Sequence, residues 1–598
     1  MRILGISSFY HDSAAALIND GVVVAAAQEE RFTEIKNDSN FPNQAISFCL
    51  TKAQINASDL DAIVFYDKPF LKFERILESY INTAPTSWIS FIKSMPIWLT
   101  QKVFQKSLIK KAIKKLDPSI NWKKTQLLFS NHHLSHAASA YYASPFTDAA
   151  ILTIDGVGEW ATASISHGSS NKILSLKEMH YPHSLGLLYS AFTYYLGFEV
   201  NSGEYKVMGL APYASVNDDL VQQYLALIKA NLVNLFNDGS IGLNQTYFKY
   251  NTSLRMTNDL RFEKLFGFKR REKNEELNRQ HWALAQALQL MLEECVLKMA
   301  AYAKEITGAK NLCLAGGVAL NGVANGKIQE ANLFEQIYIQ PAAGDAGAAL
   351  GAAWAAYYLH FNKNRKICLP DAMHGALLGP NYSALEITIA LEEAKLNYQL
   401  LTAQLLEEAV VKRLLDGKVI GWFEGRMEFG PRALGARSII ANPLLPEMQS
   451  KLNQKVKKRE SFRPFAPILL IEEFEKLFGQ KHHSPYMLMV HKILTAYRIN
   501  QDSKETAILE IINQKRSLLP AITHVDYSSR IQTINENSNP GIRNILYAFK
   551  KATGYGVLIN TSFNVNNMPI VCNPKQAIDC FKNTDIDCLV LDGHLIDK

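Results

Sequence analysis

The strongest constraint on the fold is a pattern of short strands that occurs twice in the N-terminal part of the chain. Residues 2–28 contain an apolar strand "RILGISS", a polar bend "FYHD", a second strand "SAAALI", an Asn-Asp-Gly turn and a third strand "VVVAAAQ". Residues 149–179 follow the same order, as "AAILTID", "GVGE", "WATASISHG", "SSN" and "KILSLKEM". Two such units in one chain predict an internal duplication.

A third apolar segment, "NLCLAGGVALNGVANGKI" (311–328), predicts a buried strand, a double glycine and the start of a helix. Gly316 and Gly317 would let backbone N–H groups approach a ligand closely, with Asn321 beside them. A duplicated strand unit with this segment is typical of actin-like (RNase H-like) ATPase folds. We therefore expect an α/β domain with a nucleotide site.

The segment "SGEYKVMGLAPY" (202–213) contains Gly and Pro residues that favour a loop. A loop that combines glycine with a cation near a nucleotide cleft commonly holds phosphate, so Lys206 is a candidate phosphate ligand. A plain connecting loop is the alternative.

The composition is that of an ordinary globular protein. The chain has 598 residues, of which 48% are hydrophobic and 20% charged, and its length predicts two to four domains. The net charge is +7, but the basic clusters "IKKAIKK" (109–115) and "FKRREK" (268–273) are short and far apart. They indicate solvated helix faces and form no convincing nucleic-acid-binding surface, so we expect no nucleic-acid partner. The seven cysteines form no CxxC pair, as expected of reduced thiols.

The chain shows no sign of export or membrane insertion. The N-terminal apolar stretch is broken by His11 and Asp12, unlike a secretory signal. The segment "WISFIKSMPIWL" (88–99) carries Lys93 and is too short to span a bilayer, and the small-residue run 342–358 carries Asp345. We expect a soluble, cytoplasmic protein, monomeric or homodimeric, with no membrane partner.

The character of the sequence changes after about residue 360. A polar link that contains proline, "FNKNRKICLPDAMHG" (361–375), predicts a boundary between a domain 1–365 and a domain 366–598. The second part places arginines or Ser, Thr and Asn residues beside apolar, strand-like runs. These motifs are "GWFEGRMEFGPRALGARSII" (421–440), "VKKRESFRPFAPILL" (456–470), "THVDYSSRIQT" (523–533) and "GVLINTSFNVNNMPIVCNP" (556–574).

A metal site is predicted from two histidines and two aspartates. In "NHHLSHAASAYYAS" (131–144), His132 and His136 would lie side by side on a helix, although most such pairs bind no metal. The glutamate that a zinc protease needs beside the first histidine is missing. Asp155 closes a strand and Asp345 opens a small-residue helix, and each alone reads as a turn residue or a helix cap. Together the four residues form a mixed N/O set that suits Fe or Mn and could hold Zn.

The motifs "HDSAAAL", "NHHLSHAASAYYAS", "LTIDGVGEW", "SGEYKVMGLAPY", "AGGVALN", "EFGPRALGARSI", "FRPFAP" and "LINTSFN" occur in this order from residue 11 to residue 564. Together they closely resemble the NodU/CmcH-type O-carbamoyltransferases. The resemblance implies that domain 1–365 is a TsaD-like carbamoyl-transfer domain with the actin-like fold. It also implies that domain 366–598 is a YrdC-like α/β domain that forms carbamoyl-adenylate.

The resemblance implies a reaction in two steps. The YrdC-like domain makes carbamoyl-adenylate from carbamoyl phosphate and ATP, and the TsaD-like domain passes the carbamoyl group to a hydroxyl of a small-molecule acceptor and releases AMP. His132, His136, Asp155 and Asp345 match the metal-ligand positions of the family, with iron expected and manganese, magnesium and zinc as alternatives. His11 matches a histidine that deprotonates the acceptor hydroxyl. A structural hairpin-loop histidine is the alternative.

Binding of carbamoyl phosphate and ATP requires cations, and planar guanidinium groups bind phosphate oxygens with two parallel hydrogen bonds. The candidates are Arg432 and Arg463, expected in catalysis, and Arg530, although any single arginine could instead form a surface ion pair. Lys457 resembles the KxR motif of YrdC proteins, and Ser562 and Asn564 resemble their SxN motif. The chain departs from the family at "NNMPIV", where a Gly-Glu-Pro-like turn is expected, which leaves the loop at Asn567 and Met568 undefined.

Two other functions compete with small-molecule carbamoylation. An actin-like ATPase that regulates without group transfer would explain the duplicated strands but not the arginines of the second half. An enzyme of tRNA threonylcarbamoylation would explain both domains. It would not explain why the basic clusters are so weak, or the order in which the two domains are fused. No motif identifies the acceptor, and residues 70–125 and 215–275 are expected to shape its pocket.

Overall fold

The computed structural model describes residues 1–97, 104–253, 255–499, 511–512, 514–536 and 538–598. The predicted segments 70–125, 88–99 and 215–275 therefore lie partly outside the described residues. The chain forms two compact units. The first comprises 1–29 and 39–372, and the second comprises 30–38 and 373–598. The sequence placed 30–38 in the N-terminal domain, whereas the structure assigns this segment to the second unit.

The first unit contains two five-stranded sheets among its described residues. The strands of the first sheet are β1 (Arg2–Ser7), β2 (Ala14–Asn19), β3 (Val22–Gln28), β4 (Ala62–Phe65) and β5 (Gln126–Phe129). Those of the second are β6 (Asp148–Ile154), β7 (Ala161–Ser169) and β8 (Lys172–His180), followed after a separate hairpin of β9 (Val233–Leu235) and β10 (Ile241–Leu243) by β11 (Asn311–Ala315) and β12 (Gln336–Ile339).

The two sheets have the same topology. Their strand orders are β3-β2-β1-β4-β5 and β8-β7-β6-β11-β12. In each, the first three strands are antiparallel neighbours and the last two run parallel to the first strand of the unit. This repetition confirms the predicted duplication and the α/β fold class.

Helices surround these sheets. The short helix α1 (Glu30–Thr33) lies in the second unit. The helices of the first unit are α2 (Asn43–Ala53), α3 (Pro69–Asn82), α4 (Trp88–Ile97), α5 (Gln105–Leu116), α6 (His132–Tyr141), α7 (Leu185–Tyr195), α8 (Glu204–Leu210), α9 (Asp219–Leu227), α10 (Asp259–Phe266), α11 (Arg279–Thr307), α12 (Gly322–Glu330) and α13 (Asp345–Ala355). Within the described part of the chain, no helix combines the length and the apolar character needed to cross a membrane.

The loop predicted over residues 202–213 is wrong. Residues 204–210 form α8, and a short 3-10 helix, Ala211–Tyr213, follows. Pro212 lies in the first turn of that 3-10 helix, where a missing N–H group costs little, so it does not break α8. Burial of Val207 and Leu210 stabilises the helix.

Two glycine contacts fix the position of α13. A Cβ atom at Gly351 would overlap the backbone carbonyl of Ser135 in α6, and one at Gly5 in β1 would overlap that of Ala349 in α13. Because glycine has no Cβ, helix α13 packs directly against the backbones of both neighbours. The start of α13 is thereby held beside the start of α6.

The second unit is built on one mixed sheet. Its described strands are β13 (Gln399–Leu400), β14 (Ile420–Phe423), β15 (Arg437–Ala441), β16 (Ala466–Leu470), β17 (Met489–Lys492), β18 (Ser528–Ile534), β19 (Val557–Ser562), β20 (Cys588–Leu591) and β21 (His594–Asp597), in the order β13-β21-β20-β14-β15-β19-β16-β18-β17. Besides α1, its described helices are α14 (Ala384–Glu393), α15 (Ala403–Leu415), α16 (Met448–Lys451), α17 (Ile471–Phe478), α18 (Pro540–Thr553) and α19 (Pro574–Lys582).

Both faces of this sheet are buried. Ile439 packs into a core with α14, α17 and α19, and its neighbour Ile440 packs into a second core with α15 and α18. Successive side chains of a strand point to opposite faces, which explains why these strands are continuous apolar runs.

We predict that Gly351→Ala destabilises the first unit. The added methyl group would push α6 away from α13, and overpacking of this kind costs about 1–3 kcal/mol. Thermal and urea denaturation should show this loss of stability. Gly242→Ala is the matched control, because the nearest atom to its Cβ would lie 3.7 Å away, at ordinary contact distance. Equal stability of the two variants would contradict the role assigned to Gly351.

Candidate functional site

The helix that carries His132 and His136 begins at His132 and is capped from outside. The side chain of Asn131, at the N-cap, makes no capping hydrogen bond. Instead, the backbone N–H of His132 donates to the carboxylate of Glu159, at 3.0 and 3.1 Å from its two oxygens. The same carboxylate accepts a hydrogen bond of 2.8 Å from the backbone of Lys68, at the start of α3. One buried glutamate therefore ties together the starts of α3 and α6.

Asp155 follows β6 and points at His132. Its Oδ2 atom lies 3.0 Å from His132 Nε2, and its Oδ1 atom accepts a hydrogen bond of 3.0 Å from the backbone N–H of Gly317. A Cβ atom at Gly317 would come within 2.9 Å of the same oxygen. The double glycine thus brings a backbone donor to the aspartate.

Asp345 is the first residue of α13 and is buried. Its Oδ1 atom lies 3.5 Å from His136 Nε2 and 3.7 Å from His132 Nε2. The hydroxyl of Tyr66 donates a hydrogen bond of 3.2 Å to the other oxygen, Oδ2. A carboxylate at a helix start also benefits from the helix dipole.

These four side chains offer a ligand set for a metal ion. One atom from each of His132, His136, Asp155 and Asp345 lies within 4.8 Å of the others. The two histidine Nε2 atoms are 3.1 Å apart, and the Nδ1 atoms of both rings are buried without a hydrogen-bond partner in the described structure. Two imidazole nitrogens facing two carboxylates form the mixed donor set that transition metals prefer, so the residues fit a metal ion.

The electrostatics keep both carboxylates ionised. Burial opposes their charge, but the histidines more than compensate. The hydrogen bond to His132 and the charge of His136 hold the pKa of Asp155 well below its ordinary value. For Asp345, interactions with His11 and His136 hold the pKa below its ordinary value. Both carboxylates are therefore ionised and available as ligands for a cation.

His11 lies in the bend after β1, at the edge of this cluster. Its Nε2 atom is 4.0 Å from Asp345 Oδ2, and its Nδ1 atom is 3.0 Å from Asp12 Oδ2. A quarter of its side chain is exposed, at 25%. Burial opposes the imidazolium form, but the Asp345 charge and the hydrogen bond to Asp12 raise the pKa of His11 to about 9. His11 is the most accessible of the five side chains, so it lies where an incoming molecule would meet the cluster.

Two further cations near the cluster were not predicted. Lys72 and Arg75 lie on α3 and are buried. Lys72 Nζ donates to Asp67 Oδ2 at 2.9 Å, and Arg75 donates to the carbonyl of Gly158 at 3.1 Å. Burial opposes the charge of Lys72, but Asp67 and Asp345 raise its pKa. The spacing of Lys68, Lys72 and Arg75 places three cations on one helix face, a signal that the sequence contained.

The remaining candidates in the first unit have structural contacts. Asn321 caps α12 through the N–H of Ala324, at 3.0 Å, and its amide donates to Gln289 at 3.0 Å. Gly316 has a φ of +85°, and a Cβ there would overlap the backbone of Ile154. The ammonium of Lys206, on α8, lies 5.8 Å from the centre of the Phe198 ring. Their assignment to nucleotide binding stays a prediction.

In the second unit the structure brings Lys457, Ser562 and Asn564 together. Lys457 Nζ lies 2.6 Å from the Ser562 carbonyl, 3.1 Å from its hydroxyl, 2.9 Å from the Asn564 carbonyl and 2.6 Å from the Asn564 side-chain oxygen. Burial, with repulsion from Arg459 and Arg463, lowers the pKa of Lys457 well below its usual value. The lysine is held by these oxygens at the end of β19.

Arg459 and Arg463, whose charges act on this lysine, also act on a third arginine, Arg530. Arg530, in β18, feels the charges of Arg432, Arg459 and Arg463. Burial and this repulsion lower its pKa well below the usual value. Arg459 donates to Asn453 at 2.7 Å, and Arg463 lies 3.6 Å from Glu460. Converging guanidinium groups with this excess of positive charge are suited to bind a polyanion.

The loop that the sequence left undefined is a tight turn. Asn567 has a φ of +64°, a conformation that asparagine tolerates better than most residues. The backbone N–H of Met568 donates to the Val565 carbonyl at 3.3 Å. The Asn564 amide donates to the Met568 carbonyl at 2.7 Å, so the turn supports the side chain of Asn564.

The chain matches two family models that together cover most of its length. Residues 2–354 match the model described as carbamoyltransferase N-terminus, and residues 411–598 match carbamoyltransferase C-terminus.

Curated relatives match over almost the whole chain. An uncharacterized protein of Synechocystis sp. is 48% identical over 100% of this chain and 97% of its own length. Nodulation protein NolNO of Sinorhizobium fredii is 36% identical over 99% of this chain and 80% of its own length. Nodulation protein U of Rhizobium tropici is 27% identical over 97% of this chain and 93% of its own length.

Similarity to solved structures is remote. Full-length HypF in a phosphate- and nucleotide-bound form is 11% identical, over 60% of this chain and 55% of that chain, with a TM-score of 0.31. HypF of T. kodakarensis is 15% identical, over 60% of this chain and 48% of that chain, with a TM-score of 0.30. Likeness at this level supports no conclusion about function. The two family models and the full-length relatives, in contrast, show that the chain belongs to the carbamoyltransferase family and is an enzyme that transfers a carbamoyl group.

Proposed function

We propose that this enzyme is an ATP-dependent O-carbamoyltransferase with two sites. The second unit, as a YrdC-like domain, would form carbamoyl-adenylate from carbamoyl phosphate and ATP. The first, as a TsaD-like domain, would transfer the carbamoyl group to a hydroxyl of a small-molecule acceptor. The observation that carries this proposal is the grouping of Arg432, Arg459 and Arg463 around Arg530, whose charge they oppose and a polyanionic substrate would stabilise.

Adenylate formation needs charge neutralisation more than it needs a nucleophilic side chain. Water cleaves the carbamoyl–phosphate link to give carbamate and inorganic phosphate. The carbamate oxygen then bonds to the α-phosphorus of ATP as the bond to pyrophosphate breaks. Phosphate oxygens carry negative charge throughout, so guanidinium groups fixed before binding lower the barrier. Lys457 would hold Ser562 and Asn564 in place through its four short contacts.

Transfer in the first unit needs the acceptor hydroxyl to lose a proton. The hydroxyl oxygen bonds to the carbamoyl carbon while the bond from that carbon to AMP breaks. His11 would accept the proton, because it is the exposed side chain at the edge of the cluster. It can do so only in its neutral form, so positive charge must offset the carboxylate field that raises its pKa.

His132, His136, Asp155 and Asp345 would hold a metal ion, for which we favour iron on the basis of the donor set. When bound, the metal supplies positive charge at phosphate oxygens. Glu159 would hold His132 and His136 in place through its hydrogen bonds at the start of α6. Lys72 and Arg75 add positive charge on the neighbouring helix, suited to the anionic leaving group AMP.

A second candidate is tRNA threonylcarbamoylation, to which the same two domain types are suited. Several of the relatives that match almost the whole chain are nodulation proteins, which favours a small-molecule acceptor. Incubation with carbamoyl phosphate, against incubation with threonine and bicarbonate, separates the two candidates through their products. The cytoplasmic location and the monomeric or homodimeric state stay predictions.

We predict that Arg463→Gln abolishes formation of carbamoyl-adenylate. Loss of one preorganised donor to a developing charge lowers the rate by about 10²–10³-fold. The measurement is pyrophosphate release from ATP that depends on carbamoyl phosphate, with no acceptor present. Arg543→Gln is the control, because Arg543 lies on α18 and bonds to the backbone carbonyl of Glu536. Release by Arg463→Gln at the wild-type rate would refute the assignment of this unit.

We predict that His136→Gln loses the bound metal. Removal of a ligand should lower metal affinity by at least about 10–100-fold, the range seen when only outer-shell partners are removed. Elemental analysis of the purified protein measures it. His133→Gln is the matched control, since His133 lies on the same helix but bonds to Ser164 Oγ at 3.0 Å. Equal metal content in the two variants would exclude the predicted ligand set.

We predict that His11→Asn loses transfer while it keeps metal and adenylate synthesis. Asparagine retains a hydrogen-bonding group of similar size but cannot take up a proton, and general-base catalysis contributes about 10²–10⁴-fold. The measurement is single-turnover transfer from preformed carbamoyl-adenylate to an accepted substrate. A rate within about twofold of wild type, far less than a lost general base costs, would leave His11 as a structural residue.

A further inference from the structure

Residues 30–38 belong to the second unit, although they lie in the first half of the sequence. The chain leaves the first unit after Glu29 and rejoins it at Ser39. Phe32, within this segment, packs against an apolar cluster of Met427, Ala433, Ile570 and Cys572. The segment is therefore part of the core of the second unit.

Arg31 is the charged residue of this segment that reaches the loop carrying Arg432. It is only 3% exposed. One guanidinium nitrogen donates to the carbonyl of Gly430 at 2.8 Å, and another lies 3.0 Å from the Glu30 carboxylate. The Gln576 amide donates to the Arg31 carbonyl at 3.5 Å, which holds the backbone of the segment. Arg31 is thus fixed on both its backbone and its side chain.

The other side of the Arg432 loop is anchored by different residues. The Glu428 carboxylate accepts hydrogen bonds from the backbone of Leu434, Ala436 and Arg437, at 2.7, 2.8 and 3.2 Å. The Asn560 amide donates to the Ala433 carbonyl at 3.1 Å. These contacts begin immediately after Arg432.

The backbone before Arg432 is less restrained by its own residues. Gly430 has a φ of +127°, which glycine adopts readily, and Pro431 has no N–H to donate. The hydrogen bond from Arg31 to the Gly430 carbonyl restrains this stretch. A shift of the Gly430–Pro431 peptide would move Arg432, the next residue, relative to Arg530.

We infer that Arg31 is a positioning residue for Arg432 in the arginine cluster of the second unit. This inference rests on the proposed function, because it assigns to Arg31, a residue of the N-terminal half of the sequence, the positioning of part of the proposed anion site. Arg31 itself touches no substrate. It acts by fixing the loop from which one of the four guanidinium groups projects.

The first test is anion binding by Arg31→Gln in the full-length enzyme. Calorimetry with carbamoyl phosphate and with inorganic pyrophosphate should show dissociation constants raised about tenfold, as expected when a charged hydrogen bond is lost. Arg31→Lys can still donate to the Gly430 carbonyl and should recover part of the affinity. The control is Arg413→Gln, because Arg413 also donates to a backbone carbonyl, that of Ala409, at 2.9 Å.

A double-mutant cycle separates positioning from a general loss of structure. In an Arg432→Gln background, Arg31→Gln should change the dissociation constant by no more than about twofold, because the group that it positions is already gone. An undiminished tenfold effect in that background would overturn the inference, because Arg31 would then act independently of Arg432.

Hydrogen exchange of residues 428–437 provides a measurement that needs no ligand. Arg31→Gln should speed exchange in this loop while exchange in the sheet strands is unchanged. Unchanged exchange in the loop would overturn the inference even if anion binding fell. A wild-type enzyme that binds neither anion would contradict the proposed function, while exchange still decides the role of Arg31.

Discussion

The direct backbone packing of α13 between β1 and α6 is the contact on which the first site depends. Gly5 brings β1 against the backbone of α13, and Gly351 brings α13 against the backbone of α6, so backbone atoms that cannot repack set the position of the helix at both contacts. Three parts of the chain distant in sequence then converge. Asp345 begins α13, His11 follows β1, and His132 begins α6.

The two units have opposite electrostatic problems. In the first, the buried Asp345 and the partly exposed Asp155 face two imidazoles in a cluster suited to a cation. In the second, the charges of Arg432, Arg459 and Arg463 oppose that of Arg530, an arrangement suited to an anion. Like charges held close together lower the stability of the folded protein, and a ligand of opposite charge that binds the folded state restores it.

Much of this could be predicted from local sequence. The duplicated strands were visible because each unit has short apolar runs separated by clear turns, and the ligands were visible because His132 and His136 share a helix face. The loop assigned to residues 202–213 was wrong because Pro212 falls in the first turn of a new helix, which composition alone does not reveal. Lys72 and Arg75 were missed because nothing local shows that α3 starts beside α6. That proximity depends on the Glu159 carboxylate, far along the chain.

The place of residues 30–38 in the second unit has a consequence for biosynthesis. The segment is synthesised long before its packing partners, which lie in residues 373–598. At elongation rates of about 5–20 residues per second, Phe32 and Arg31 wait for roughly tens of seconds before these partners exist. During that time the strands of the first unit can pair, while residues 30–38 remain unpacked. The second unit completes its core only after these partners have been made, so the order of synthesis sets the order in which the two sites become competent.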